Sequence, residues 1–390
     1  MSTRAAIVER AQALYDDLSL GSVRAWCAEG VGRKAAGYLP VYVPREVIHA
    51  TGMLPVGIHG GGDRLEIIRG DAYFQSYICH LPRSLVELLH TGRLDALSAM
   101  IFPSTCDVIR NLSGMWKLLR PDLYVRYCDV PQATERSTGG AFWRRELETL
   151  YADLAEVAGV APDLAALNRS NAVYNEVRRT IRALYAARSD APWRIPTEEL
   201  YLLLRAGEVL PPEDFLTMAG DYLRATALDT ARPKDRVRVV VVGAFCEQPP
   251  LGLIKTIERA GCYIVDDDFL LGNRLLTSDV PFGDDPLTAL SDTFLHHAMA
   301  SSILYEHAPD GKKKLLARRV ADARADGVIF AAPSFCDPAL LDRPMLLAGA
   351  EAAKIPCMAF QYSENTGQFQ QYREQAGSFS DSIKLWGGHP

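Results

Sequence analysis

The sequence predicts an α/β protein: two Rossmann-like parallel-sheet domains of similar plan, with a helical insert between them. Three observations predict this. Apolar, β-branched runs such as V-R-V-V-V-V at 237–242 and G-V-I-F-A-A at 327–332 read as central parallel strands. Those runs alternate with helical stretches, as βαβ units require. Finally, P-S-T-C-D at 103–107 returns as P-S-F-C-D at 333–337, each time directly after an apolar run.

In chain order, residues 1–30 read as an N-terminal helix, amphipathic from residue 3 to about 30, with Ile7, Ala11, Leu14 and Tyr15 on one face. Residues 31–140 read as the first α/β domain. There a short strand in K-A-A-G-Y-L-P-V-Y-V-P precedes a helix that starts after Pro44 and stops at Gly52. A second strand follows, M-L-P-V-G-I-H, and then the turn G-G-G at 60–62. A helix opened by Cys79 leads to the strand L-D-A-L-S-A-M-I-F-P, which delivers P-S-T-C-D at its carboxyl end. Residues 141–232 change texture to long helices with few strand signals. Residues 233–390 then repeat the first plan: a strand ending near Cys246, a helix, the strand C-Y-I-V-D-D-D, a helical stretch, the strand before P-S-F-C-D, a helix in M-L-L-A-G-A-E-A-A-K and the strand I-P-C-M-A-F-Q-Y. Cys128 follows Cys106 by 22 positions and Cys357 follows Cys336 by 21, which two domains of one plan explain.

With 390 residues, 48% hydrophobic and 23% charged, the chain is long enough for two or three cores. A net charge of -6 argues against a nucleic-acid surface. No apolar run approaches the roughly 18 residues needed to span a bilayer, and the start lacks a signal-peptide core, so a cytoplasmic protein without membrane contact is expected.

The eight cysteines include no C-x-x-C pair, which removes the zinc-ribbon and thioredoxin patterns. Cys27, Cys128, Cys262 and Cys357 read as small buried hydrophobes. Cys106 and Cys336 are expected on exposed strand-end loops, as structural thiols or as ligands, with the aspartate after each capping the next helix. Cys79 opens a helix, whose dipole favours a thiolate. Cys246 is the natural fourth candidate. Three or four thiols from separate loops suit an iron–sulfur cluster better than zinc, although spacing leaves the metal open.

Other motifs carry less. No phosphate-binding G-x-x-x-x-G-K-[ST] occurs, and G-K-K-K at 311–314 reads as a solvated charge run. His296 and His297 read as surface or packing residues, and D-D-D at 266–268 as a solvated strand end. G-x-S-x-G is absent.

Several stretches together resemble the 2-hydroxyacyl-CoA dehydratase and benzoyl-CoA reductase superfamily. They are Y-L-P-V-Y-V-P-R-E-V-I-H-A-T-G, G-D-A-Y-F-Q-S-Y-I-C-H-L-P-R-S, F-P-S-T-C-D-V-I-R-N-L-S-G-M-W-K-L, F-C-E-Q-P-P-L-G-L-I-K-T-I-E, A-A-P-S-F-C-D-P-A-L-L-D-R-P-M-L and Q-A-G-S-F-S-D-S-I-K-L-W. Within it, the chain looks most like the smaller cluster-carrying subunits of the ATP-dependent (class I) reductases. The resemblance implies three cluster-ligating thiolates, at Cys79, Cys106 and Cys336, with Cys246 as a runner-up. Some relatives carry a further cysteine where this chain has H-H-A-M-A-S-S-I-L-Y at 296–305, so a non-cysteinyl fourth ligand is implied. The cluster is either a separate [4Fe-4S] cluster or half of a double-cubane cluster shared with a homologous larger subunit.

The resemblance also implies ATP bound only on partner subunits, an upstream ferredoxin, and an aromatic acyl-CoA reduced to a cyclic dienoyl-CoA. A proton donor is required. Glu46 and His49 are candidates, with Arg45, Glu364 and Asn365 as substrate-binding candidates; capping or salt bridging is the ordinary alternative for all five. A 2-hydroxyacyl-CoA dehydratase subunit, an electron-transfer subunit without substrate contact and a metal-free α/β binding protein remain open at this point.

Overall fold

A computed structural model describes residues 3–133, 135–243, 246–268, 270, 272–274, 278–297 and 311–386. The helix expected over residues 3–30 is two helices, α1 (Arg4–Asp16) and α2 (Gly21–Ala28). The break is chemical: the Asp17 carboxylate accepts from the N–H groups of Ser19 and Gly21, at 3.0 and 2.5 Å, and Leu20 takes a left-handed φ of 55°. The two pieces then serve different cores. Ile7 and Ala11 of α1 pack in the cluster of the second sheet, and Val23 of α2 in that of the first.

The first sheet contains β1 (Ala35–Tyr38), β2 (Leu54–Gly57), β3 (Leu97–Pro103) and β4 (Tyr124–Cys128). Its helices are α3 (Arg45–Ala50), α4 (His80–His90) and α5 (Asp107–Leu119). Four helices follow: α6 (Ala141–Ala158), α7 (Leu164–Asp190), α8 (Thr197–Ala206) and α9 (Pro212–Ala227). The second sheet contains β5 (Val237–Val242), β6 (Cys262–Asp267), β7 (Gly327–Pro333) and β8 (Cys357–Tyr362). Its helices are α10 (Leu251–Arg259), α11 (Pro286–His297), α12 (Gly311–Asp322), α13 (Asp337–Ala352) and α14 (Gln370–Trp386).

Both sheets are wholly parallel, and both have the same order: β2-β1-β3-β4 and β6-β5-β7-β8. Each therefore reverses direction between its first and third strands, and such a reversal opens a crevice at the carboxyl ends. The repeated pentapeptides leave the third strand of each sheet at that edge. The protein is thus an α/β fold of two Rossmann-like halves.

Register refines the repeat. Pro103 pairs with Cys128, and Pro333 pairs with Tyr362. The N–H of Ser104 donates to the Cys128 carbonyl, and that of Ser334 to the Tyr362 carbonyl. Tyr362, not Cys357, is therefore the counterpart of Cys128. The near-equal cysteine spacings are not structural equivalence, because α13 is 16 residues long and α5 only 13.

The helices of 141–232 form outer layers on both sheets. Trp143, Leu147, Leu150 and Leu154 of α6 pack with Ala36, Tyr38, Ala99 and Ile101 of the first sheet. Tyr174, Ile181 and Leu184 of α7 join α8, α9 and the second sheet. Among the described residues no helix is long and apolar enough to cross a membrane.

The D-D-D run is not a solvated strand end. Asp266 pairs with Arg319 at 2.6 Å, Asp268 with Arg274 at 3.2 Å, and Asp267 with Arg188 at 2.6 Å. The last pair is fully buried and joins α7 to β6, with Arg188 also over the Tyr185 ring. Lys312 of G-K-K-K likewise pairs with Asp342, at 2.8 Å. Removing one member of a buried pair strands the other charge in a poorly solvating interior. Arg188→Ala or Asp267→Ala is expected to cost about 3–5 kcal/mol, with a smaller loss when apolar residues replace both. Urea midpoints of the two singles and the double check this.

Candidate functional site

Cys79, Cys106 and Cys336 all stand in one structural position: each is the N-cap of a helix, α4, α5 and α13 respectively. The helix after the second pentapeptide begins at Asp337, eight residues earlier than the M-L-L-A-G pattern placed it, which gives Cys336 that position. Asp107 and Asp337 are not the caps but lie in the first turns, where their charge complements the helix dipole.

The three thiols line one cavity of about 550 Å³ between the two halves, together with Cys246. Leu81, Thr105, Ile109 and Tyr127 form walls on the first half, and Glu247, Phe335, Pro338 and Leu341 on the second. The strand-end loops are less exposed than the sequence implies. Cys336 and Cys246 are buried and Cys79 and Cys106 half-buried, because the carboxyl edges of the two sheets face one another. Cys246 packs on the first pentapeptide, with Sγ 3.7 Å from the Thr105 hydroxyl and 3.8 Å from the Pro40 carbonyl. That carbonyl precedes Val41 and Tyr42, which have φ of 78° and 70°. Such values are uphill for any residue bearing a Cβ, most of all a β-branched one. Cys128 and Cys262 are buried as expected, and the half-buried Cys27 and Cys357 pack against apolar clusters.

Sequence reasoning missed the residue that joins the halves here. Glu247 follows Cys246, and one of its carboxylate oxygens accepts from the N–H groups of His80 and Leu81 at 3.0 and 3.3 Å. It thereby satisfies the open donors of α4 beside Cys79. Its other oxygen accepts from the Glu364 N–H at 2.8 Å. The Glu364 carboxylate in turn meets His80 Nδ1 at 2.7 Å, against Gly60, where any Cβ would overlap it. The only sequence signal was an acid beside a strand-end cysteine. Burial and the Glu364 carboxylate push the Glu247 carboxyl up, opposed by the N–H groups it accepts.

The approach to Cys79 has its own clamp. Glu87 of α4 accepts from three consecutive N–H groups, Ile68, Arg69 and Gly70, at 2.9, 2.7 and 2.9 Å. Burial acts to raise its carboxyl, but these donors outweigh it and hold the group below the usual range.

Of the remaining candidates, Arg45, Glu46 and His49 lie apart from the thiols. Arg45 pairs with Glu208 at 3.2 Å, and Glu46 pairs with Arg178. His49 Nδ1 meets Ser170 Oγ at 2.9 Å, and burial lowers its pKa. Arg45 and Glu46 line a separate cavity of about 40 Å³. Glu364 is buried behind Cys79, whereas Asn365 is exposed. His296 is exposed and hydrogen-bonds the Asp292 carbonyl. The side chain of His297 and residues 298–305, where a fourth ligand was considered, lie outside the described residues.

Burial pushes all the thiols up, Cys336 to about 12, while N–H groups of the following helices pull Cys106 and Cys336 back. Among the described residues no three His, Cys, Asp or Glu side chains close on one point tightly enough for a single ion. Thiols from separate elements around one cavity, three of them at helix N-termini, are the donor type that an iron–sulfur cluster would take at separate corners.

Three outcomes are expected of the metal-free chain. Alkylation of Cys79, Cys106 and Cys336 at pH 8 lags that of the urea-unfolded chain, since a raised pKa leaves less thiolate; mass spectrometry reads this. Glu247→Ala costs about 1–3 kcal/mol by leaving buried donors unpaired, and it speeds labelling of Cys79. An unchanged midpoint and unchanged labelling would remove Glu247 from its place. The stabilisation from Glu87, whose folded pKa is depressed, is fully present above the unfolded pKa of about 4.3 and lost as pH falls through the folded value. Amide exchange at residues 68–70, corrected for intrinsic rate, rises across that window in the wild type and is already high in Glu87→Gln.

The family model for 2-hydroxyglutaryl-CoA dehydratase, D-component, matches residues 40–383. The chain is 51% identical over 386 residues to a subunit of benzoyl-CoA reductase from Thauera aromatica, covering 99% of this chain and all of that one. It is 28% identical to the lactoyl-CoA dehydratase beta subunit of Anaerotignum propionicum, over 90% of this chain and 92% of that one. It is also 28% identical to the (R)-2-hydroxyglutaryl-CoA dehydratase beta subunit of Acidaminococcus fermentans, over 90% and 93%. Full-length similarity of this order, on a duplicated fold with three helix-capping thiols around one cavity, places the chain in the 2-hydroxyglutaryl-CoA dehydratase D-component family, the enzyme subunits of the 2-hydroxyacyl-CoA dehydratase and benzoyl-CoA reductase superfamily.

Proposed function

We propose that the chain is a catalytic, cluster-carrying subunit of an ATP-dependent aromatic acyl-CoA reductase that converts benzoyl-CoA, or a close analogue, to a cyclic dienoyl-CoA. The observation that carries this is the convergence of Cys79, Cys106 and Cys336 on one cavity in a chain half identical to a benzoyl-CoA reductase subunit. These three residues would hold a [4Fe-4S] cluster, or half of a double-cubane cluster shared with the homologous larger subunit. When bound, such a group supplies single electrons at low potential.

The chain's own residues prepare the place. Three helix N-termini offset part of the cost that burial sets on thiolate charge. Burial between the halves limits water, and Glu247 fixes the first turn of α4. The partners under this reading are the larger homologous subunit, an ATP-hydrolysing pair that delivers electrons, and a ferredoxin upstream. The complex is cytoplasmic, and ATP binds elsewhere than on this chain.

The dehydratase relatives support a second reading, loss of water from a 2-hydroxyacyl-CoA. Anaerobic isolation separates the readings in two steps. Iron and acid-labile sulfide are expected in the purified chain, reduced in Cys79→Ser, Cys106→Ser and Cys336→Ser; full iron in any of these sinks that ligand assignment. In the assembled complex, stoichiometric consumption of reductant with ring reduction supports the reductase. Water loss without net reduction supports the dehydratase.

A further inference from the structure

The two pentapeptide loops share their strand connection and differ in their middle residue. In the first, Thr105 is buried, and its hydroxyl lies against Cys246. In the second, Phe335 has φ +62° and is 52% exposed at the cavity's lip. A left-handed backbone is uphill for a residue with a Cβ, and an exposed ring gains nothing from burial. Phe335 belongs to none of the four buried apolar clusters among the described residues, so core packing does not explain its conformation. Strained residues of this kind cluster at ligand sites.

The cavity has two unlike ends. Its floor carries the four thiols. Toward solvent its lining is mixed: Phe335, Pro338 and the 78%-exposed Leu341 of the second half and Val108 and Tyr127 of the first supply apolar surface, beside the exposed Asp107, Asp129, Gln132 and Asp337. A closed apolar space of roughly 150 Å³ accepts a benzene ring. The whole cavity, about 550 Å³, is therefore larger than a ring alone requires.

We infer that Phe335 is a specificity-determining residue, presenting its ring to the aromatic acyl group of the substrate at the mouth of the thiol-lined cavity. This rests on the aromatic acyl-CoA reading above and deepens it. Two aromatic rings prefer offset or edge-to-face contact, a preference a saturated ring does not share. Phe335 therefore selects an aromatic over an aliphatic acyl thioester of equal size.

The test uses the complete reconstituted complex. KM and kcat for benzoyl-CoA are compared with the inhibition constant of cyclohexanecarbonyl-CoA in wild type, Phe335→Ala, Phe335→Gly and Phe335→Tyr. Glycine accepts φ +62° freely, so Phe335→Gly keeps the fold even where alanine does not. In the alanine and glycine variants KM for benzoyl-CoA rises on the order of tenfold. Cyclohexanecarbonyl-CoA inhibition shifts much less, iron content is unchanged, and tyrosine restores the preference. Unchanged KM and unchanged discrimination in a complex that reduces benzoyl-CoA overturn this inference alone. Loss of subunit assembly with discrimination intact also overturns it, making Phe335 an interface residue. A wild-type complex that dehydrates a 2-hydroxyacyl-CoA and leaves benzoyl-CoA unreduced overturns the functional reading and this inference with it.

Discussion

One carboxylate joins the two halves of the molecule at its chemical centre. Glu247 leaves the carboxyl edge of the second sheet and accepts from the first two N–H groups of α4, which belongs to the first half. Those donors have no partner within their own helix, and an unpaired buried donor is strongly disfavoured. The acceptance therefore fixes the distance and angle between the two sheet edges. Cys79 sits immediately before those donors, so the same contact places a thiol. Glu364 and His80 repeat the cross-link a few ångströms behind it.

Three buried ion pairs attach helices to the rest of the molecule. Arg178 ties α7 to α3 through Glu46, Arg188 ties α7 to β6 through Asp267, and Arg45 reaches Glu208 after α8. The helix α7 thus holds one half through each of two arginines and couples their positions. Buried pairs are weak contributors to net stability but demanding of geometry. In this molecule they restrict how the sheets can slide past one another, which matters more for a site split across a seam than for one contained in a single domain.

Much of this was legible in the sequence, and the reason is local. Apolar runs, the proline before α3, the glycine after it and the repeated pentapeptide are all written within short windows, and the strands and α3 formed where those patterns stood, while the first helix broke in two and α13 began eight residues early. Strand ends and a helix start marked Cys79, Cys106, Cys246 and Cys336, the family resemblance singled out Cys79, Cys106 and Cys336, and all four line one cavity. The losses were at long range. Glu247 lies 167 positions from the N–H group it accepts, and no local pattern marks such a partner. The acids at 266–268 looked solvated because two of their arginines, at 188 and 319, are distant in sequence, and the third, Arg274, reaches back from the turn after β6 without a local pattern to mark it. The near-equal cysteine spacings suggested equivalence, but helix length differs between the copies, and only strand register reveals that Tyr362 stands where Cys128 does.

The division of the thiols between the halves has a consequence for how the chain is made. Cys79 and Cys106 belong to the first half, and Cys336 emerges about 230 residues after Cys106. At roughly 5–20 residues per second, the first two thiols precede the third by roughly 10–50 s of synthesis. Through that interval a finished first sheet presents two cysteines at helix N-termini with their covering wall still missing. The full set of thiols exists only once Cys336 has been made, so the site is completed late in synthesis, as the second half folds against the first.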